Sequence, residues 1–313
     1  MENDFLVVVG SCNVDLTCYV QRMPCVGETM YGDSFYQRYG GKGANQAVAA
    51  KKLGAAVCMV AKVGDDGYGH SYVQLLEQMA INTSEIQRVP SVHTGIAQIL
   101  VSENGANHIV IVPGANKCLR GDDLLSKSIR QKLATAKVGL FQFEIDAETT
   151  QKAMELMKTS GKGTVILNCA PAIKGDKNIH SLADILILNE IEVFGTVGVD
   201  VSSLDDVEPA MQKLLELGSN VVIITLGSKG AVFASRDDSK VTHVAVTPVD
   251  EPVDTTGAGD AFCGAIAYAF IKCQHLSLHQ KISFACKAAR HSVFSQGTHH
   301  SFPTEDDMIE YLD

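Results

Sequence analysis

Basic residues are scarce in this chain: 26 Lys and Arg stand against 36 Asp and Glu among 313 residues, a net charge of −10. A nucleic-acid surface needs clustered positive charge, so nucleic acid is not an expected partner. Acidity does not exclude a small anion, because backbone amides and a few cations suffice to hold a phosphate. No apolar run approaches the ~18 residues of a membrane span, and membrane is not expected either. The first apolar run, Phe5–Val9, is preceded by Met1-Glu2-Asn3-Asp4 and lacks the positive flank of a secretory leader. The nine cysteines are odd in number, widely spaced and form no C-x-x-C, which argues against a zinc knuckle and a disulfide framework. Reduced thiols in the cytoplasm, or the nucleus, are the expectation. Two nucleotide signatures are also missing. There is no G-x-G-x-x-G, and Gly40-Gly41-Lys42-Gly43 lacks the following Ser or Thr of a P-loop, with no strand expected immediately before it.

What is present is an alternation. The short apolar runs Phe5–Val9, Ala56–Val60, Val138–Phe143, Thr164–Asn168, Ile185–Leu188 and Val221–Leu226 read as buried strands. Helix patterns lie between and beside them at Ala44–Leu53, Gly67–Met79, Asp122–Leu133, Ala147–Ser160 and Val207–Leu217, with two more at Ala258–Cys273 and about Ser277–Ser295. Strand–helix alternation with continuous apolar strands predicts a largely parallel sheet covered on both faces, an α/β/α three-layer core. Two β-rich stretches, Thr17–Tyr39 and Thr94–Pro113, break the rhythm and are expected to form a small extra sheet, a lid over the strand ends or ordinary hairpins of the core. No linker or repeat divides residues 1–313, so one contiguous α/β unit is expected.

Five polar, glycine-rich segments sit where that pattern puts strand ends or helix starts. Asp254-Thr255-Thr256-Gly257-Ala258-Gly259-Asp260 leads into a helix, where free N–H groups and the positive dipole end meet. That is an anion hole, formed by Gly257, Ala258, Gly259 and Asp260, beside a carboxylate able to accept a hydroxyl proton. A plain turn with a favourable first-turn acid is the alternative. Gly10-Ser11-Cys12-Asn13-Val14-Asp15 follows the first strand and offers Asn13 and Asp15 on one side; closing a turn is its other reading. Gly40-Gly41-Lys42-Gly43-Ala44-Asn45-Gln46 opens a helix with a lysine, unfavourable there unless something anionic or oxygen-rich is near. Asn189-Glu190-Ile191-Glu192 ends a strand with oxygen ligands suited to hydrated Mg²⁺, or merely starts an acidic helix. Thr225-Leu226-Gly227-Ser228-Lys229-Gly230 suits phosphate or ribose contacts, or a hairpin turn.

The segments Gly40–Ala50 and Asp254–Asp260 together resemble the ribokinase-like carbohydrate kinase superfamily of PfkB type, and the resemblance runs from Gly10 to Pro303. Within it, G-G-K-G-A-N-Q resembles the ribokinases. The resemblance implies ATP-dependent phosphorylation of D-ribose at its 5-hydroxyl. It implies that Asn13, Asp15, Gly41, Lys42, Gly43, Asn45 and Glu144 hold the sugar and that Asp260 is the base. Asn189 and Glu192 match the family's N-x-x-E motif, implying hydrated Mg²⁺ and the phosphates; Asn189, Thr225, Gly227, Ser228, Gly230, Gly259 and Cys286 would line the nucleotide site. Cys286 departs from the His or Asn frequent in bacterial relatives. An activating K⁺ is expected from Asp254 and the Thr256 carbonyl, to which the resemblance adds the carbonyls of Ser292, Ser295 and Gly297 and the Ser301 hydroxyl. A lid that pairs two subunits is implied, hence a homodimer. The pair His299–His300 has the ligand types of a metal site but no third ligand at suitable spacing. Readings outside ribose phosphorylation are a deoxyribose or nucleoside kinase, a non-catalytic sugar or nucleotide sensor on the same fold and, disfavoured by the missing fingerprint, an NAD-dependent dehydrogenase.

Overall fold

A computed structural model describes residues 4–203 and 206–311. Its layering follows from the first strand, β1 (Phe5–Val9). Leu6 and Val8 enter one apolar cluster and Val7 and Val9 another, all four fully buried. A strand apolar on both faces must lie inside a sheet that is covered twice.

The main sheet gathers nine strands. In spatial order they are β13 (Thr242–Val244), β12 (Ala231–Ser235), β11 (Val221–Thr225), β10 (Ile185–Asn189), β9 (Thr164–Asn168), β8 (Val138–Phe141), β1, β4 (Ala56–Gly64) and β5 (Asn82–Val89). From β11 to β5 every neighbouring pair is parallel, and β12 pairs antiparallel with both β11 and β13, so it alone runs against the rest. One face is covered by α1 (Lys42–Lys52), α2 (Gly67–Gln78), α8 (Ala258–Lys272), α9 (Leu278–Ser292) and α10 (Glu305–Met308). The other carries α3 (Lys127–Thr135), α4 (Ala147–Ser160), α5 (Lys177–His180), α6 (Glu190–Val197) and α7 (Val207–Glu216). The expected three-layer α/β/α core is therefore present.

Differences from the expected elements have local causes. The strand read as Val138–Phe143 ends at Phe141, because Gln142 and Glu144 turn polar side chains toward other partners. The helix read over Asp122–Leu133 is a 3₁₀ turn, Asp123–Leu125, then α3, which restarts at Ser126 as its N-cap. Strands β5, β12 and β13 were not expected. β5 reads polar (Asn-Thr-Ser-Glu-Ile-Gln-Arg-Val) and is an edge strand, which escapes the apolar pattern.

The two irregular stretches supply a second sheet in the order β3 (Ser34–Gly40), β2 (Asn13–Val20), β6 (Gly95–Ser102), β7 (Asn107–Val112). Its first strand begins earlier than expected, at Asn13, and so departs directly from the end of β1. The whole of β7 is exposed, with Ile109, Val110, Ile111 and Val112 each about half accessible or more (49–63%).

Candidate active site

Two close backbone approaches assemble the site. A Cβ on Gly43 would lie 2.6 Å from the Ser11 nitrogen, so α1 starts hard against the turn after β1. A Cβ on Gly264 would lie 2.6 Å from the Ala49 Cβ and 2.8 Å from the Gln46 carbonyl, so α1 and α8 touch backbone to backbone. Only glycine permits either approach. Together they bring Lys42, Asn45 and Gln46 of α1 to Asp260 in the first turn of α8.

Asp260 is buried and doubly held. Asn45 Nδ2 donates to its Oδ2 at 2.9 Å, and Gln46 Nε2 donates to its Oδ1 at 3.0 Å. Gln46 Nε2 also donates to Asn168 Oδ1 (2.9 Å), and its Oε1 accepts from Gln142 Nε2 (2.6 Å). Burial pushes the Asp260 carboxyl up, while Lys42, Asn45 and Gln46 hold it back. Gly257, the residue before α8, takes φ 81°, a left-handed conformation that suits glycine.

A second focus is Glu144. Its Oε2 accepts from Ser11 Oγ (2.6 Å), from the Lys42 backbone N–H (2.9 Å) and from Asn13 Nδ2 (3.3 Å). Asn13 Oδ1 accepts from Asn116 Nδ2 at 2.7 Å. Asp15 stands opposite Arg38 in the β2–β3 register. Burial, then the charges of Glu144 and Asp260, push its carboxyl up to about 7 against the pull of Arg38. Gly41, at φ 91°, turns the chain so that Lys42 starts the helix. Burial lowers the Lys42 ammonium, but Asp260, Glu144 and Glu192 outweigh it and the net shift is upward. One retained cation amid three carboxylates is the dominant electrostatic feature.

The carboxyl ends of β10 and β11 form the other half. Asn189 caps α6: its Oδ1 accepts from the Glu192 N–H (2.8 Å), and Glu192 Oε2 accepts from the Asn189 N–H (2.9 Å). Burial raises the Glu192 carboxyl, opposed by the Asn189 N–H and by Lys42. Thr225 Oγ1 donates to the Leu188 carbonyl (3.3 Å). Two cavities meet here. The smaller, about 170 Å³, is lined by Lys42, Asn168, Asn189, Glu192, Thr225, Gly257, Gly259, Asp260 and Cys263. The larger, about 380 Å³, carries Asn189, Thr225, Gly227, Ser228, Gly230, Ala258, Gly259, Cys286 and Arg290. Asn189, Thr225 and Gly259 belong to both.

The structure thus brings together the candidate residues of all five segments, with Glu144 and Cys286. It also brings the C-terminal loop to Asp254: Oδ1 accepts from the Thr256 N–H (2.9 Å) and Oδ2 from the Gly297 N–H (2.8 Å), and Ser301 Oγ donates to the Gly297 carbonyl (2.7 Å). Ser292 and Ser295, expected to act through their carbonyls, lie in the same stretch, with the Ser292 hydroxyl donating to the Ala289 carbonyl and Ser295 exposed. His299 points inward and His300 outward, so the two do not converge on one ligand. Sequence reasoning assigned no role to Ser11, Gln46, Asn116, Gln142 or Asn168. Gln46 stood beside Asn45 in a motif already singled out; Asn116 lies in a 3₁₀ turn (Gly114–Cys118) with no local signal. Chemically, the arrangement is a buried carboxylate at a helix N-terminus, facing a cation and joined to a long cleft. It suits proton removal from a hydroxyl beside a bound anion.

Comparison with known proteins agrees with that chemistry. The sequence model of the pfkB family carbohydrate kinases matches residues 3–305. The chain is 39% identical over 304 residues to a ribokinase of Mus musculus, covering 97% of this chain and 93% of the relative. It is 37% identical over 308 residues to a deoxyribokinase of Salmonella typhi, covering 98% of both. A structure of Arabidopsis thaliana ribokinase complexed with ribose and ATP superposes with a TM-score of 0.91 at 30% identity, covering 99% of this chain and 98% of that one.

Proposed function

Since the chain belongs to the pfkB family of carbohydrate kinases and is a sugar kinase, we propose that it transfers the γ-phosphoryl group of ATP to the 5-hydroxyl of D-ribose. The observation that carries this reading is the place of Asp260, buried at the start of α8 where the smaller cavity opens into the larger.

The sugar lies against Asn13, Asp15, Gly41, Lys42, Gly43, Asn45 and Glu144, where carboxylates accept from its hydroxyls and amides donate to them. The nucleotide fills the larger cleft, its base toward Cys286 and its phosphates toward Asn189, Thr225 and the turn Gly227–Gly230. Asp260 takes the 5-hydroxyl proton as that oxygen bonds to the γ-phosphorus; the bond to the ADP oxygen breaks, and ADP leaves with its electron pair. The amides of Gly257 to Asp260 and the Lys42 ammonium face the charge on the moving group. Glu192 Oε2 is already engaged by the Asn189 N–H, so the pair fits a hydrated Mg²⁺ better than one stripped of water. Bound with ATP, Mg²⁺ neutralises phosphate charge. The oxygens of Asp254, Thr256, Gly297 and Ser301 are hard donors suited to K⁺, with Ser292 and Ser295 contributing through their carbonyls. The second sheet acts as a lid over the sugar and pairs two subunits in a homodimer of the cytoplasm.

Deoxyribose is the second reading, favoured by the 37% identity to a deoxyribokinase. A coupled assay with ATP and Mg²⁺ on ribose, deoxyribose, fructose and adenosine separates the two, and kcat/KM highest for ribose is expected. Asp260→Asn preserves shape and removes the proton acceptor. It should lower kcat by ~10²–10⁴-fold; near-normal kcat in that variant sinks the assignment of the base.

A further inference from the structure

His299 lies in the loop after α9, and its ring is buried (7% exposed) between Tyr72 and Phe302. Ring atom Nε2 is 3.0 Å from Asn45 Oδ1. The direction of that bond is forced. Asn45 Nδ2 faces Asp260, which in its ionised form, the one a base needs, only accepts, so the amide oxygen is the end left for the histidine. Nε2 must then carry the proton. Burial first, then the positive charges of His300 and Lys52, hold the ring's pKa down at about 4, which keeps it neutral with a single N–H.

The backbone of the same loop is also pinned. Lys52 Nζ donates to the carbonyls of His299 (3.2 Å), His300 (3.3 Å) and Phe302. Lys52 and Asn45 are both on α1, seven residues or two turns apart, hence on nearly one face. One helix face thus holds the loop by its main chain and receives its imidazole at the residue that touches Asp260.

We infer that His299 is a positioning residue for Asp260: by donating to Asn45 Oδ1 it fixes which end of the Asn45 amide meets the carboxylate. Without that donor the amide turns freely, and its oxygen can face Asp260 and repel it. The inference rests on the reading of Asp260 as the base, but one of its readouts does not.

The test is a double-mutant cycle. His299→Phe keeps an aromatic ring and removes the donor. Loss of one neutral hydrogen bond predicts a fall in kcat on the order of tenfold, with KM for ATP unchanged. Adding His299→Phe to Asn45→Ala should cost less than about twofold more, because no amide remains to orient. A full further tenfold drop means that the ring acts elsewhere, and unchanged kcat in the single variant means that it does not position the base; either result overturns the inference. Independently of turnover, the carboxyl carbon of Asp260, assigned with Asp260→Asn, should titrate at higher pH in His299→Phe than in the parent. The other titratable groups facing Asp260, namely Lys42, Glu144, Glu192, Asp15 and Cys263, are untouched by the substitution. An unmoved midpoint overturns the inference even if ribose proves not to be the substrate; failure of the ribose reading shows instead as a parent without activity on ribose. If His299→Phe does not fold, His299→Leu enters the same cycle.

Discussion

At the scale of single residues, Asp15 offers the clearest pH signature. Its carboxyl is raised to about 7, chiefly by burial and then by Glu144 and Asp260. A carboxyl raised on folding binds protons that the unfolded chain has released, so its contribution to stability falls as pH rises from the ordinary carboxylate range toward 7. Asp15→Asn should flatten that slope in thermal melts between pH 4.5 and 7. The opposite trend is expected of catalysis. On the proposed reading ribose hydroxyls donate to the ionised form, so KM for ribose should rise as pH falls below 7, with KM for ATP little changed. Asp15→Asn should raise KM for ribose at pH 8, on the order of tenfold or more for a charge-assisted pair, and abolish the pH dependence. A parent enzyme whose KM for ribose is flat from pH 6 to 8 refutes the assignment.

At the scale of elements, the turn 254–257 and the loop 293–302 act on each other. The Val253 N–H donates to the Val293 carbonyl (2.9 Å) and the Gly297 N–H to Asp254 Oδ2, while a Cβ on Gly257 would lie 2.9 Å from Thr298 Cγ2 and 3.1 Å from the Phe302 ring. Anything that orders this loop orders the amides ahead of α8. A pre-ordered anion hole is what lowers the barrier. Rates are therefore expected to rise with K⁺ at fixed ionic strength, with Na⁺ a poor substitute, and Asp254→Ala should lose most of the activation. Equal activity in K⁺ and in a bulky organic cation excludes the cation site. Lys52 grips the far side of the same loop through three carbonyls. Lys52→Met should therefore raise sensitivity to K⁺ concentration, seen as a higher K⁺ requirement for half-maximal rate.

At the scale of the whole molecule, the second sheet ends in β7, an edge strand with Ile109 to Val112 all exposed. A long apolar edge invites strand pairing or aggregation unless it is covered. Pairing with a second copy would cover it, and β2 of the same sheet carries Asn13 and Asp15 of the proposed sugar site. Sedimentation at micromolar concentration should give a dimer, and Ile111→Lys should shift it to monomer and raise KM for ribose. A parent that sediments as monomer refutes the pairing.

Most of the core is legible in the sequence because each inner parallel strand is buried on both faces and must be apolar throughout, as in Val-Val-Val of β1 and Ile-Leu-Ile-Leu of β10. Edge strands have no such requirement, which is why β5, with its polar sequence, and β13, three residues long, leave no apolar pattern to read. The glycine-rich motifs are legible for a similar reason: backbone approach restricts the residue type locally, as at Gly41, Gly43 and Gly257. By itself the sequence therefore determined the layered fold, the glycine-rich start of α8 and the residues of its motifs. The tertiary structure alone decided which distant groups hold those residues in place. Asn116 meets Asn13 across 103 positions and His299 meets Asn45 across 254. Such pairs are set by how loops and helices pack, and a lone Asn or His carries no periodic or local signal of the partner it will face.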